Sequence, residues 1–275
     1  MKIDTHQHFW KYSKEQYPWI TEGMEVLAQD RLPSDLNPLL RENGIDGTIA
    51  VQARQLIEET EALLAMADEY DSIRGVVGWV DLRRPNVQAQ LEKFKDRAKM
   101  VGVRHVVQDE PDDKFVLRED FMRGISRLKD YDLVYEILIF PHQLPATIEL
   151  LEKFPEQVFI LDHMAKPYIK DKKISQWQSN IDKLASFDNV SCKISGMVTE
   201  ADWHNWSKED FKPYMEVVLE AFGTKRLTIG SDWPVCTLAG EYGNVISIAA
   251  DFITQLSNSE QKSIWQENPV RIYGL

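Results

Sequence analysis

The run KIDTHQHFW at residues 2–10 reads as one short extended segment in which a single residue separates His6 from His8. Side chains at i and i+2 of a strand share a face, so both imidazoles project the same way. Near neutral pH an imidazole can ligate a metal, relay a proton or bond an oxygen. The pair therefore points to a shared metal ion, a hydrolytic water or a substrate oxygen, against the alternative of two satisfied core histidines. Gln52 and Arg54, Arg104 and His105, His142, His163, Lys193 and Asp232 each stand at or just past the end of a short apolar run. Five of the six histidines fall at such ends, and His204 lies in a loop.

These residues need a scaffold that gathers strand ends. The apolar runs predict strands at 2–10, 47–54, 73–82, 100–107, 133–140, 158–163, 189–196 and 226–232. Between and after them, helical spacing predicts helices at 36–43, 58–70, 86–98, 121–131, 145–154, 177–187, 211–222, 246–255 and 259–268. Eight short strands alternating with amphipathic helices are the pattern of a parallel sheet, and eight strands close into a (β/α)8 TIM barrel. A doubly wound open sheet would concentrate its polar residues near one switch point, whereas here they come from strands all along the chain. The expected fold class is α/β, a (β/α)8 barrel forming one domain over residues 1–275, with the site at its C-terminal rim.

Composition is ordinary for a globular protein, with 43% hydrophobic and 28% charged residues. A formal charge of −12 disfavours nucleic acid and anionic membrane as partners. Two cysteines, Cys192 and Cys236, set up no disulfide framework. The chain opens on a polar strand without the basic and apolar regions of a secretory signal, and no apolar run reaches membrane-spanning length, so a cytoplasmic location is expected. No pattern specifies an oligomeric state.

The HxH pair, LDHMAKP at the sixth strand, GSDWPV at the eighth and the closing ENPVRIYGL resemble the amidohydrolase superfamily. More narrowly, DTHQHFW, QAR, GWVDL, VRH and KISGMVTEADW resemble its amidohydrolase family 2, the branch that contains sugar lactonases acting on L-fucono- and L-rhamnono-lactone. The resemblance covers essentially the whole chain. It implies a hydrolase that opens a sugar lactone to the aldonic acid, a small-molecule partner and a place in carbohydrate catabolism. It also implies that His6, His8 and His163 belong to the catalytic set and that Asp232 activates water. Arg104 is then the expected donor, with His163, to the oxyanion of the tetrahedral intermediate.

The fourth strand departs from the superfamily pattern. Arg104 and His105 stand where many members carry a lysine or glutamate that bridges two metals, which argues against a binuclear centre. A single zinc on His6, His8, His163 and Asp232 is chemically reasonable. Since the branch includes metal-free members and a lactone is more reactive than an amide, the expectation is that no cofactor is required.

Trp10, Gln52, Arg54, His105, Glu136, His142, Lys193 and Trp203 are the candidate substrate contacts. Competing roles are packing for the tryptophans, a buried carboxylate pair for Lys193, a rim ion pair for Arg54, and a helix cap or structural ion pair for Asp232. The alternative function is a zinc-dependent, non-oxidative decarboxylase of an aromatic acid on the same fold.

Overall fold

A computed structural model describes all of residues 1–275. Eight parallel strands follow one another in chain order around one sheet: β1 Ile3–Gln7, β2 Gly47–Val51, β3 Ile73–Gly78, β4 Met100–Val106, β5 Val134–Leu138, β6 Phe159–Leu161, β7 Val190–Ile194 and β8 Leu227–Ile229. The ends of the sheet meet. Gln7 bridges to Trp233, and the His8 amide donates to the Trp233 carbonyl at 2.7 Å. Thr5 Oγ1 donates to the Ile229 carbonyl at 2.9 Å. This is a (β/α)8 barrel.

Helices α1 Pro33–Glu42, α2 Ile57–Glu69, α3 Val87–Glu92, α4 Glu119–Leu128, α5 Leu144–Lys153, α6 Ser175–Ala185, α7 Lys208–Phe222 and α8 Tyr242–Phe252 surround the strands. Short helices α9 Asn258–Lys262 and α10 Asn268–Tyr273 close the chain. None is long and apolar enough to cross a membrane. Sixty-five buried apolar residues pack between strands and helices. A separate cluster of nine joins Ile3, Val51, Val77, Ile160 and three other strand residues to Ile272 and Tyr273 of the C-terminal helix.

Two predicted boundaries move for one reason. The sixth and eighth strands stop at Leu161 and Ile229, short of His163 and Asp232. His163, Met164, Ala165, Lys166 and Asp232 all adopt positive φ, between 48° and 59°. Left-handed backbone at a non-glycine residue costs on the order of 1 kcal/mol or more. The strain turns both side chains over the barrel mouth, where a continuing strand would carry them upward and apart. The predicted helix at 259–268 divides into α9, a π turn at Ser263–Glu267, and α10.

Candidate active site

At the C-terminal mouth lies a cavity of about 360 Å³, within the range of small-molecule sites. His8, Arg104, His163 and Asp232 form its polar floor, and Trp19, Met24, Leu138, Trp203, Val235 and Leu238 supply apolar wall. Asp232 is the hub. Its Oδ1 stands 3.3 Å from His8 Nε2, 3.8 Å from His6 Nε2 and 3.9 Å from His163 Nε2. Burial acts to raise its pKa, but His163 and His8 outweigh burial and hold the carboxyl below its ordinary value, so Asp232 is ionised.

The histidines are oriented from behind. His8 Nδ1 donates to the Val51 carbonyl at 2.8 Å, which turns Nε2 toward Asp232. His163 Nδ1 bonds Ser195 Oγ at 2.8 Å. A Cβ on Gly196 would come within 2.4 Å of that same ring nitrogen, so only glycine lets the chain pass. Gly230 serves β1 likewise: its missing Cβ would meet the His6 Cβ at 2.5 Å. Burial pushes the pKa of His6 and of His163 well below the usual histidine value, with Asp162 pulling His6 and Asp232 pulling His163 the other way.

Beneath the floor is a fully buried charge network. Arg104 Nη1 donates to Asp162 Oδ2 at 3.1 Å and to His6 Nε2 at 3.2 Å, while its Nη2 donates to the Gln52 carbonyl. Lys193 Nζ reaches Glu136 Oε1 at 2.5 Å, Asp162 Oδ1 at 3.1 Å and His6 Nδ1 at 3.2 Å. Tyr273 donates to Glu136 Oε1 at 2.6 Å. Burial would raise the Asp162 pKa, yet Lys193 foremost and Arg104 as well keep it well below the ordinary range. Burial and the Asp162 charge push Glu136 up to about 7, with Lys193 pulling the other way.

The candidate contacts therefore separate. Arg104, His8, His163, Asp232 and Trp203 line the cavity. His6, Gln52, Glu136 and Lys193 lie one layer below it, and Lys193 is the carboxylate-paired interior lysine. Arg54 is the rim ion pair, bonded to Glu59 at 3.4 Å and to Gln16 at 2.9 Å. Trp10 packs between Tyr17 and Trp19 with its indole N–H on the Gln29 carbonyl at 2.8 Å.

His105 is turned away from the mouth, because neighbouring residues of a strand face opposite sides and Arg104 takes the inner one. Its ring stacks on Phe115 at 4.9 Å and bonds Glu110 at 2.7 Å. His142 sits on the exposed side of its turn, 3.3 Å from Asp113 and outside the cavity. Gln108, Asp109, Lys166 and Glu200 line the cavity without having been singled out from sequence. Of these, Lys166 and Glu200 lie inside the DHMAKP and GMVTEADW segments, and Asp162 beneath the floor opens the first of them.

Two groups of side chains have the spacing of a metal site: His6, His8 and Asp232, and His6, Asp162 and His163. The expected four-residue set is thus divided. The first group fits a divalent cation, since two ring nitrogens and an ionised carboxylate oxygen converge there with zinc-compatible chemistry. The second already holds two fixed cations, Arg104 and Lys193.

Strand-end residues gathered at the mouth of a (β/α)8 barrel define an enzyme site. Residues 3–275 match the amidohydrolase family, and the chain belongs to that family of enzymes. It is 39% identical, over 100% of its length and 96% of the relative's, to L-fucono-1,5-lactonase of Burkholderia multivorans. It is 35% identical to L-fucono-1,5-lactonase of Burkholderia ambifaria, covering 88% and 83% of the two chains. The solved structure of a Burkholderia multivorans amidohydrolase with bound zinc superimposes with a TM-score of 0.97 at 39% identity, over 100% of this chain and 99% of the other.

Proposed function

We propose that this enzyme hydrolyses a neutral sugar lactone to its aldonic acid, with L-fucono-lactone the best candidate and L-rhamnono-lactone the next. The observation that carries the reading is the ionised Asp232 on the floor of a cavity whose walls carry no excess positive charge. Two fixed cations, Arg104 and Lys166, face three acidic side chains, Asp109, Glu200 and Asp232, and Arg104 is further neutralised by Asp162. Such walls offer no net positive field to a carboxylate-bearing ring. Gln108 Oε1 is buried without a partner, suited to accept a sugar hydroxyl, and Trp19 and Trp203 give apolar faces. The two lactonase relatives support the same chemistry.

In the proposed mechanism Asp232 takes a proton from a water held against His8 and His163, and the resulting hydroxide attacks the lactone carbonyl. Arg104 and His163, which both line the cavity, are the donors assigned to the oxyanion. The proton on Asp232 then passes to the departing ring oxygen. Here His6 acts from below, holding the floor in register between Arg104 and Lys193. His6, His8 and Asp232 would hold a divalent ion, which when bound would supply Lewis acidity and lower the pKa of water. We infer that lactone opening does not require it, since an ester ring is reactive and Arg104 already places a fixed positive charge beside His6.

The test is acid release from a panel of aldonolactones by the wild type and by Asp232→Asn. Folded D232N should lose about 10²–10⁴ in kcat, the usual worth of a positioned base. Retained turnover removes Asp232 from that role. Absence of lactone turnover with stoichiometric zinc and activity on a hydroxybenzoate would move the assignment to the decarboxylase.

A further inference from the structure

A second cavity of about 530 Å³ opens between the turn after β5 and the start of α6, and includes Tyr168, Lys172, Lys173, Trp177 and Asn180. Helix α6 begins here without a side-chain cap, and its first backbone bond runs from the Gln178 amide to the Ile174 carbonyl at 2.8 Å. The amides of Ser175, Gln176 and Trp177 therefore have no partner within the helix and present the positive end of its dipole.

Asn180 is the independent sign of a ligand. It is only 6% exposed, it lines the cavity, and its side-chain amide bonds no group of the protein. Helical side chains lean toward the N-terminus, which carries this amide toward the same first turn.

We propose that this cavity is a second binding site for a small oxyanion, a carboxylate or phosphate. The anion would accept from the free α6 amides and from the Asn180 side chain, with Lys172 as the counter-charge. Lys173 is partly engaged by Asp171 at 3.0 Å, and His142 by Asp113 at 3.3 Å, so Lys172 is the cation assigned to the ligand. The site adjoins the catalytic one. Trp177 in its wall donates to the Met164 carbonyl at 2.7 Å, one residue from His163, and Lys166 of the same connecting segment lines the active cavity.

The probes are inorganic phosphate, and separately the aldonate released from L-fucono-lactone, titrated by calorimetry into wild type, D232N, Asn180→Leu and Lys172→Ala. The aldonate arm rests on the proposed lactonase reading, and the phosphate arm is independent of it. Binding by either probe that persists in D232N and weakens at least tenfold in N180L and K172A supports the site. Phosphate binding alone identifies a phosphate site, and aldonate binding alone a carboxylate site. Thermal unfolding of N180L checks its fold, and K172A, on an exposed lysine, reports independently should N180L fail. Binding by neither probe overturns the proposal, as does affinity unchanged in K172A or lost only in D232N.

Discussion

Replacing Lys193 by Met would remove one charge from the network under the cavity floor while keeping roughly the same length and bulk. In the wild type the ammonium is fully buried among Glu136, Asp162 and His6, at 2.5, 3.1 and 3.2 Å. Removing one partner from a buried ion pair costs about 3–5 kcal/mol, because the other charge stays buried and uncompensated. At about 2–4 °C per kcal/mol for a large domain, the melting temperature should fall by about 10 °C.

The pH dependence separates this account from simple loss of packing. Glu136 binds its proton more tightly folded than unfolded, since its pKa is raised from 4.5 to about 7. Its contribution is therefore fully present below the unfolded value and is lost as pH rises through about 7. In K193M the downward pull of the ammonium is gone, so Glu136 holds its proton to higher pH. Between pH 7 and 8 the wild type has largely stopped losing stability through this group, while the variant continues at about 1.4 kcal/mol per unit. The penalty measured by urea unfolding should thus be about 1 kcal/mol larger at pH 8 than at pH 5, and kcat should fall with it as His6 loses a neighbour. A penalty below about 1 kcal/mol, or one equal at the two pH values, would refute the network as described.

Trp203→Ala should raise KM for the lactone about tenfold with a smaller change in kcat, since Trp203 is cavity wall and its indole N–H is spent on the Thr199 carbonyl at 2.9 Å. A kcat effect larger than the KM effect would place Trp203 nearer the reacting atoms. Because the Asp232 pKa is lowered, its ionised form persists through mildly acidic pH. The acid limb of kcat/KM should accordingly fall only below the ordinary carboxylate value of about 3.9, and an acid limb near 6 would point to a histidine as the base. Dialysis against a chelator should leave lactone turnover within about threefold of the starting rate by the modest-help argument for a reactive ester. Loss of activity that zinc restores would make the ion part of the mechanism.

What the sequence determined by itself was the order of eight strands, and with it the barrel, because short β-branched runs separated by helical spacing have few ways to bury both faces. The HxH spacing likewise placed His6 and His8 on neighbouring positions, since strand periodicity is local. Which residues reach the cavity was decided only by tertiary structure. Arg104 and His105 are adjacent in sequence yet face opposite sides of β4, and the hydrophobic pattern around them leaves open which is inside. Glu136 and Lys193 look like site residues because they lie on strands, but the barrel sets them one layer too deep and joins them to Tyr273 from the far end of the chain. Asp162 is invisible as a hub until β1, β4 and β7 bring His6, Arg104 and Lys193 around it. Local periodicity specifies a strand and its faces, whereas the depth of a side chain in the barrel depends on register and closure, which form through contacts between residues far apart in the chain.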